Sequence, residues 1–442
     1  GHSRVGSKAM LSEDQNRFLR ETGRGTPMGD LLRRYWMPIG AVGELEDSPT
    51  KPVRLMGEDL VLFKDKSGHY GLVDRHCPHR RADLSYGWVE ECGLRCHYHG
   101  WLWSETGNCL QQPFEETAHP EARFKERVTI KAYPVEAKAG LLWAYLGPEP
   151  RPLVPTWEPF TWKNGFVQIV LSEIPCNWFQ CQENSIDPVH FEWLHSNWSR
   201  QLRRQDGPKP PAHLKIAFEE FEHGFQYKRI LEGQSEGSEL WQVGRVCLWP
   251  NALFTGGHFE WRVPVDDETT LSVGWFFDRV PNELEPYEQG PIPYWYGPIK
   301  DPFSGRWINS HVMNQDFSAW VGQGGVADRT QEHLGESDRG VILMRRRMQE
   351  QAKVVAEGGE PLGLIRDARQ NENIGLPIVG RDRFVNGYPR SELSQNLARQ
   401  SGTPGTPSFA PDEFIFQAGQ PPEIKQAYVK AMGLETELSP AR

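Results

Sequence analysis

The sequence predicts an α+β protein: a small all-β domain, then a larger domain whose helices cover an antiparallel sheet. Three observations lead there. The hydrophobic pattern changes from helical to alternating near residue 52. Later strand candidates run together without βαβ alternation. The chain's 442 residues also exceed what a single core usually supports.

Taken in order, GHSRVGSKA reads as an expression scar, with Met10 as the expected natural start. LSEDQNRFLRETGRGTPMGDLLRRYW (11–36) carries helical signals, a Ser before an acidic turn and apolar residues three and four apart, broken by Gly and Pro. These residues make a first segment, 1–37. PVRLMGEDLVLFKDKSGHYGLVD reads as strands with turns at GED and KSG, and VTIKAYPVEAKAGLLWAYLG (128–147) as further strands around a turn. They bound the small β domain at 38–150, and PEPRPLVP (148–155) is its linker.

The rest, 151–442, forms the second domain. Helical stretches are expected near 176–198, and strands in LKIAFEEFEHGFQYKRIL, LWQVGRVCLWPNALFTG and TTLSVGWFFDRV. A helix begins at ESDRGVILMRRRMQEQAKVVAEG (336), and SGTPGTPSFAPD (401–412) is a turn-rich connection before a last short helix.

A net charge of −10 argues against nucleic acid, which rewards a basic face. No apolar run approaches the roughly 20 residues that span a bilayer. Seven cysteines, an odd number, with no secretion signal fit a reducing compartment, hence a cytoplasmic protein. Cys92, Cys109, Cys176, Cys181 and Cys247 have no partner spacing and read as ordinary free thiols.

Residues 74–103, DRHCPHRRADLSYGWVEECGLRCHYHGWLW, carry the first chemical motif. Cys77 and His79 form one tight pair, Cys96 and His99 another. Two thiols and two imidazoles suit either tetrahedral zinc or an iron–sulfur cluster. Zinc ribbons usually pair cysteine with cysteine. Here each loop supplies one of each, as a two-iron cluster needs if the thiolates hold one iron and the imidazoles the other.

NSIDPVHFEWLH (184–195) carries the second, with Asp187, His190 and His195. Five residues advance a regular α-helix by about 500°, some 140° past a full turn. His190 and His195 therefore reach one ion only if the helix is distorted, for example by a π-type bulge. By itself such a pair is more often two unrelated side chains.

CPHR and CHYHGW resemble the Rieske [2Fe–2S] domain, and N-x-x-D-x-x-H-x-x-x-x-H resembles the mononuclear-iron motif of Rieske ring-hydroxylating oxygenases. From LLRRYWMPIG to ESDRGVILMRR the chain looks like the phthalate-dioxygenase-type branch of catalytic subunits. The resemblance implies that Cys77, His79, Cys96 and His99 hold the cluster, while His190 and His195 bind mononuclear Fe(II) with a carboxylate. Asp338, in the acidic start of the 336 helix, is the first choice for that carboxylate. Glu336, Asp328 and Asp367 are alternatives, and acids in a first helical turn are favoured by the helix dipole anyway. Asp187 would link His190 to a cluster histidine of the next chain, His99, and Asn184 would lie near the iron.

The resemblance further implies electrons from NADH through a separate reductase with FMN and a plant-type [2Fe–2S] centre, and assembly as trimers or stacked trimers. The expected activity is O2-dependent hydroxylation of an aromatic carboxylate such as a phthalate or halobenzoate, or else O-demethylation of a methoxylated lignin-derived acid. Such an acid needs a cation among apolar walls. Arg245, inside VGRVCLWPNALF, is the candidate, though on an alternating strand it would as readily face solvent. Arg200, Arg203, Arg204 and Lys215 lie close after the histidine motif, where SRQLRRQDGPKP reads as a solvated loop. Two other classes remain: a zinc-stabilised binding protein, and a Rieske electron carrier with an inactive second domain.

Overall fold

The computed structural model describes residues 10–393, 395 and 417–438. Residues 1–9 and the 401–412 connection lie outside them.

Three small sheets follow the N-terminal helices. Met37–Ala41, Leu141–Ala144 and Val135–Lys138 form one. Thr50–Leu55, Glu58–Lys64, Tyr70–Asp74 and Ala132–Tyr133 form a second; Trp88–Val89, Leu94–Arg95, Leu102–Trp103 and Cys109–Gln111 a third. The glycine-centred turns predicted at GED and KSG join the strands of the second sheet, with Gly57 and Gly68 at positive φ.

The larger sheet has eight strands, in the order His213–Phe221, Gly224–Leu231, Arg245–Leu248, Ala252–Phe254, His258–Pro264, Thr270–Arg279, Gly165–Ile174, Tyr294–Tyr296. All neighbours are antiparallel except the last pair. The 240–256 stretch is shorter in strand than its apolar run suggests: Glu239–Gln242 makes a helical turn before Arg245–Leu248 begins. Helices Trp178–Asn184, Val312–Gly322 and Arg339–Ala356 pack around this sheet.

One buried apolar cluster joins all three expected segments, running from Leu19 and Leu31 through Trp143 to Trp261 and Trp275. Trp143 meets Trp261 edge-on at 5.2 Å, and Trp275 donates from Nε1 to the Ala139 carbonyl. A separate cluster including Phe63, Cys77, Cys96, Trp101 and Trp103 fills the tip formed by the second and third sheets. Among the described residues, no helix is long and apolar enough to cross a membrane.

Candidate metal centres

Two loops at the tip carry the first motif. Cys77 and Cys96 are buried, His79 is half-buried and His99 is exposed. Each loop closes on itself: the Arg81 amide donates to the Cys77 carbonyl and the Gly100 amide to that of Cys96. Gly100 has φ 77°, a left-handed position that a residue without Cβ adopts at no steric cost. The two imidazoles meet edge-on with centroids 4.5 Å apart, and Trp101 stacks on His79 at 4.3 Å.

The two thiols lie close enough to influence each other's titration. This proximity and burial push Cys77 up, whereas Cys96 is drawn down to about 6 by Cys77, with help from the Tyr98 and His99 amides. Amides aimed at sulfur stabilise thiolates, which cluster ligation needs. Among the described residues, two groups bring three donor atoms within 4.8 Å of one another, and this quartet is not one of them. A single tetrahedral ion would require that convergence. Two buried sulfurs with two outward imidazoles instead fit a two-iron cluster.

The second motif begins on helix Trp178–Asn184, whose Asn177 cap accepts from the Phe179 amide. After Asp187, residues Phe191–Asn197 form a π-helix, and the Trp198 amide donates to the Trp193 carbonyl five residues back. That widening brings positions five apart towards one face. His190 and His195 lie with ring centroids 5.2 Å apart.

Between them stands Asp316, from helix Val312–Gly322. Its Oδ1 is 3.5 Å from His190 Nε2 and 3.0 Å from His195 Nε2. These three make one of the two convergent groups. The other, Asp65/His69/Glu105, lies at a turn where the buried Asp65 already accepts from the Ser67, His69 and Gly93 amides.

Asp338 is therefore not beside the histidines, contrary to the expectation. It is half-buried at the start of helix Arg339–Ala356, where its Oδ2 accepts from the Gly335 amide. Glu336 is exposed and pairs with Arg339. Asp328 accepts from Thr330, Asp367 from the Arg369 amide, and both are exposed. Each of these acids does the local work of a helix start or turn, as the helix dipole favours. Asp316 had one legible signal: a lone acid in HVMNQDFSAWV, among residues that a helix there would bury.

The remaining polar atoms hold the rings in place. Gln315 Oε1 lies 2.9 Å from His195 Nδ1, and its Nε2 donates to Ser199. An amide oxygen must accept, so His195 carries its proton on Nδ1 and turns Nε2 towards Asp316. His190 Nδ1 lies 2.6 Å from the Asp187 carbonyl oxygen, to which it donates, turning Nε2 towards Asp316. Burial disfavours charge on His190, yet Asp187 and Asp316 outweigh it and hold its pKa at about 10. Asp316 stays below the usual carboxylate range although burial opposes this, because both imidazoles face it. The cluster favours positive charge. Two imidazole nitrogens and a carboxylate on one face are the donor set of an Fe(II) site with open positions.

Asn184 Nδ2 is 3.4 Å from Asp316 Oδ1, at the edge of the cluster. The Asp187 carboxylate, about one-third exposed, accepts from the His190 amide at 3.3 Å and lies 3.7 Å from His190 Nδ1. Arg245 is half-buried on the sheet, with Nε buried and unpaired. Arg200 binds the Gly207 and Pro208 carbonyls and Lys215 pairs with Glu236, so both serve the exposed loop and strand they lie on.

Comparison with known proteins supplies the class. Residues 35–134 match the Rieske [2Fe-2S] domain and residues 305–375 the LigXa C-terminal domain like family. The chain is 56% identical over 428 residues to the 5,5'-dehydrodivanillate O-demethylase oxygenase subunit of Sphingobium sp. (strain NBRC 103272 / SYK-6), covering 97% of this chain and 98% of that one. It is 34% identical to the phenoxybenzoate dioxygenase subunit alpha of Ectopseudomonas oleovorans, with coverages of 86% and 93%. With the phthalate 4,5-dioxygenase oxygenase subunit of Pseudomonas putida it shares 30%, at 80% and 89%.

The fold is shared with Pseudomonas putida CBB5 NdmB, at TM-score 0.56, 20% identity, and coverage of 77% of this chain and 95% of that one. The oxygenase in the reduced oxygenase–ferredoxin complex of carbazole 1,9a-dioxygenase aligns at TM-score 0.52 and 20% identity, covering 79% and 98%. The chain belongs to the Rieske oxygenase family, as a catalytic oxygenase subunit. It is an oxidoreductase whose cofactors are a Rieske [2Fe–2S] cluster and a mononuclear iron, with electrons drawn from NAD(P)H through a reductase.

Proposed function

We propose that this oxygenase O-demethylates a methoxylated aromatic acid. The observation that carries this is the 56% identity, over nearly the full length of both chains, to a subunit named for O-demethylation of dehydrodivanillate. In the balanced reaction the aryl methyl ether, O2, two electrons and two protons give a phenol, formaldehyde and water.

Cys77 and Cys96 hold one iron of the cluster, and His79 and His99 the other. His190, His195 and Asp316 hold the mononuclear ion, which when bound supplies O2 activation. Gln315 and the Asp187 carbonyl aim the two imidazoles. Arg245 binds the substrate carboxylate.

The Asp187 carboxylate reaches the surface beside His190, and His99 is exposed at the tip. That exposure supports a bridge from His190 through Asp187 to His99 of the partner subunit, in a homotrimer or stacked trimers. The electron donor is a reductase with FMN and a plant-type ferredoxin centre. The location is cytoplasmic.

Ring hydroxylation of an acid such as a phthalate or halobenzoate is a second reading, favoured by the dioxygenase subunits at 30–34% identity. Turnover of methoxylated and unmethoxylated aromatic acids with a surrogate reductase separates the two. Formaldehyde release with no atom from 18O2 in the phenol is expected, since the hydroxylated methyl group carries the new oxygen away. A dihydrodiol carrying both atoms would replace demethylation with dioxygenation.

A further inference from the structure

The acidic metal cluster has a cationic counterpart on the sheet beneath it. Arg229 and Arg245 lie on the adjacent strands Gly224–Leu231 and Arg245–Leu248, where Tyr227 stands directly opposite Arg245. Arg229 is two residues beyond Tyr227, so it shares the face and is the diagonal neighbour of Arg245. That spacing lets two guanidinium groups flank one carboxylate.

Arg229 is only 4% exposed, and its guanidinium carbon sits 4.6 Å from the centre of the Phe191 ring. The same ring lies 5.3 Å from His195 and 6.4 Å from His190, centre to centre. One aromatic ring thus separates Arg229 from the metal-binding cluster.

Neither guanidinium makes a hydrogen bond or ion pair to any described residue, and the Nε of each is buried without a partner. The nearby acids are committed elsewhere: Glu192 to His213, Asp187 to His190, Asp316 to both histidines of the cluster. His213, whose affinity for a proton burial and then Arg229 depress, also leaves its Nε2 buried and unpaired. Burial pulls Arg229 down to about 10, and the charge of Arg245 adds to this. Two like charges held near each other, one of them buried, are costly unless an anion joins them.

We propose that Arg229 and Arg245 together form the carboxylate site of the substrate, with Arg229 the principal anchor and the aromatic ring directed towards His190, His195 and Asp316. The proposal rests on the aromatic-acid reading and adds to it a residue and a required charge. Arg229 positions substrate and takes no part in the chemistry.

The test is anaerobic binding to the intact, iron-loaded protein by calorimetry. The probes are dehydrodivanillate and its uncharged bis-carboxamide, and the proteins are wild type, Arg229→Met, Arg229→Lys and Arg245→Met. Wild type should bind the acid about 100-fold more tightly than the amide, the scale of a charge-assisted bidentate contact. Arg229→Met should lose most of that ratio by weakening the acid alone, with iron content and the Rieske spectrum unchanged. Arg245→Met should lose a smaller part, and Arg229→Lys should recover some, since a point charge replaces a fork.

An unchanged acid-to-amide ratio in Arg229→Met would overturn the proposal. So would equal loss of both ligands together with loss of iron, which would make Arg229 a prop for Phe191 and the π-helix. Failure of the two ideas is distinguishable. Arginine-dependent acid binding without formaldehyde release removes demethylation and keeps the site, whereas equal demethylation of acid and amide removes the site and keeps demethylation.

Discussion

At the residue scale, the assignment of the carboxylate rests on distance. Asp316 places one oxygen within 3.5 Å of both imidazoles, while Asp338 is occupied by the Gly335 amide. Asp316→Ala should therefore lose mononuclear iron in metal analysis while the visible Rieske bands stay. Asp338→Ala should keep both; iron loss in that variant alone would reverse the assignment. Asp187 makes a second, sharper case. Its backbone oxygen orients His190 whatever its side chain is, so Asp187→Asn leaves that contact in place. A carboxylate that bridges two metal-bound imidazoles must accept twice, which a neutral amide oxygen does less well. The variant should retain both metals yet reoxidise its cluster at least about 100-fold more slowly on rapid mixing with O2 and substrate. Reoxidation at the wild-type rate would reduce Asp187 to a helix-start residue.

At the element scale, short irregular pieces do the positioning. The π-helix makes the five-residue histidine spacing usable, and its existence was legible as a requirement from the spacing itself. The hairpin ahead of Cys96 depends on Gly93, at φ 89°, where an added Cβ would meet the Trp103 carbonyl oxygen at 2.3 Å. No side-chain shift relieves a backbone clash. Gly93→Ala should destabilise the tip by about 2 kcal/mol, the scale of a strained backbone position. Thermal bleaching of the Rieske absorption reads this, and an unchanged midpoint would mean the hairpin can reshape freely. The carboxylate escaped sequence reasoning at this same scale. An acidic cluster at a helix start is conspicuous but locally explained, whereas Asp316 is one acid inside a buried helix and gains meaning only from what that helix packs against.

At the scale of the whole molecule, the exposed His99 and the partly exposed Asp187 make electron transfer between copies a checkable property. A chain lacking the cluster, Cys77→Ser, and a chain lacking the mononuclear iron, Asp316→Ala, should each be inactive alone. Co-expressed as mixed oligomers they should recover about a quarter or more of wild-type turnover, because some neighbours then pair an intact cluster with an intact iron. No recovery in oligomers shown by mass to be mixed would place the transfer within one chain. Trp143 against Trp261 and the Trp275 bond to Ala139 tie the first sheet to the eight-stranded one, so the linker predicted at 148–155 does not separate two independent cores.

The sequence by itself carried the two Cys–His pairs, the five-residue histidine step and the α+β class. These are local facts: a C-x-H and C-x2-H spacing, a five-residue step and a change of hydrophobic period each act over a few residues, where chain geometry leaves little choice. Tertiary structure alone decided which acid joins the histidines and which arginines lie near them. Asp316 follows His195 by more than a hundred residues, and Arg229, in YKRIL, looks like any arginine of an alternating strand. A carboxylate becomes a ligand, and a guanidinium an unpaired buried charge, only when helix and sheet pack together and take away the water that would otherwise have answered both.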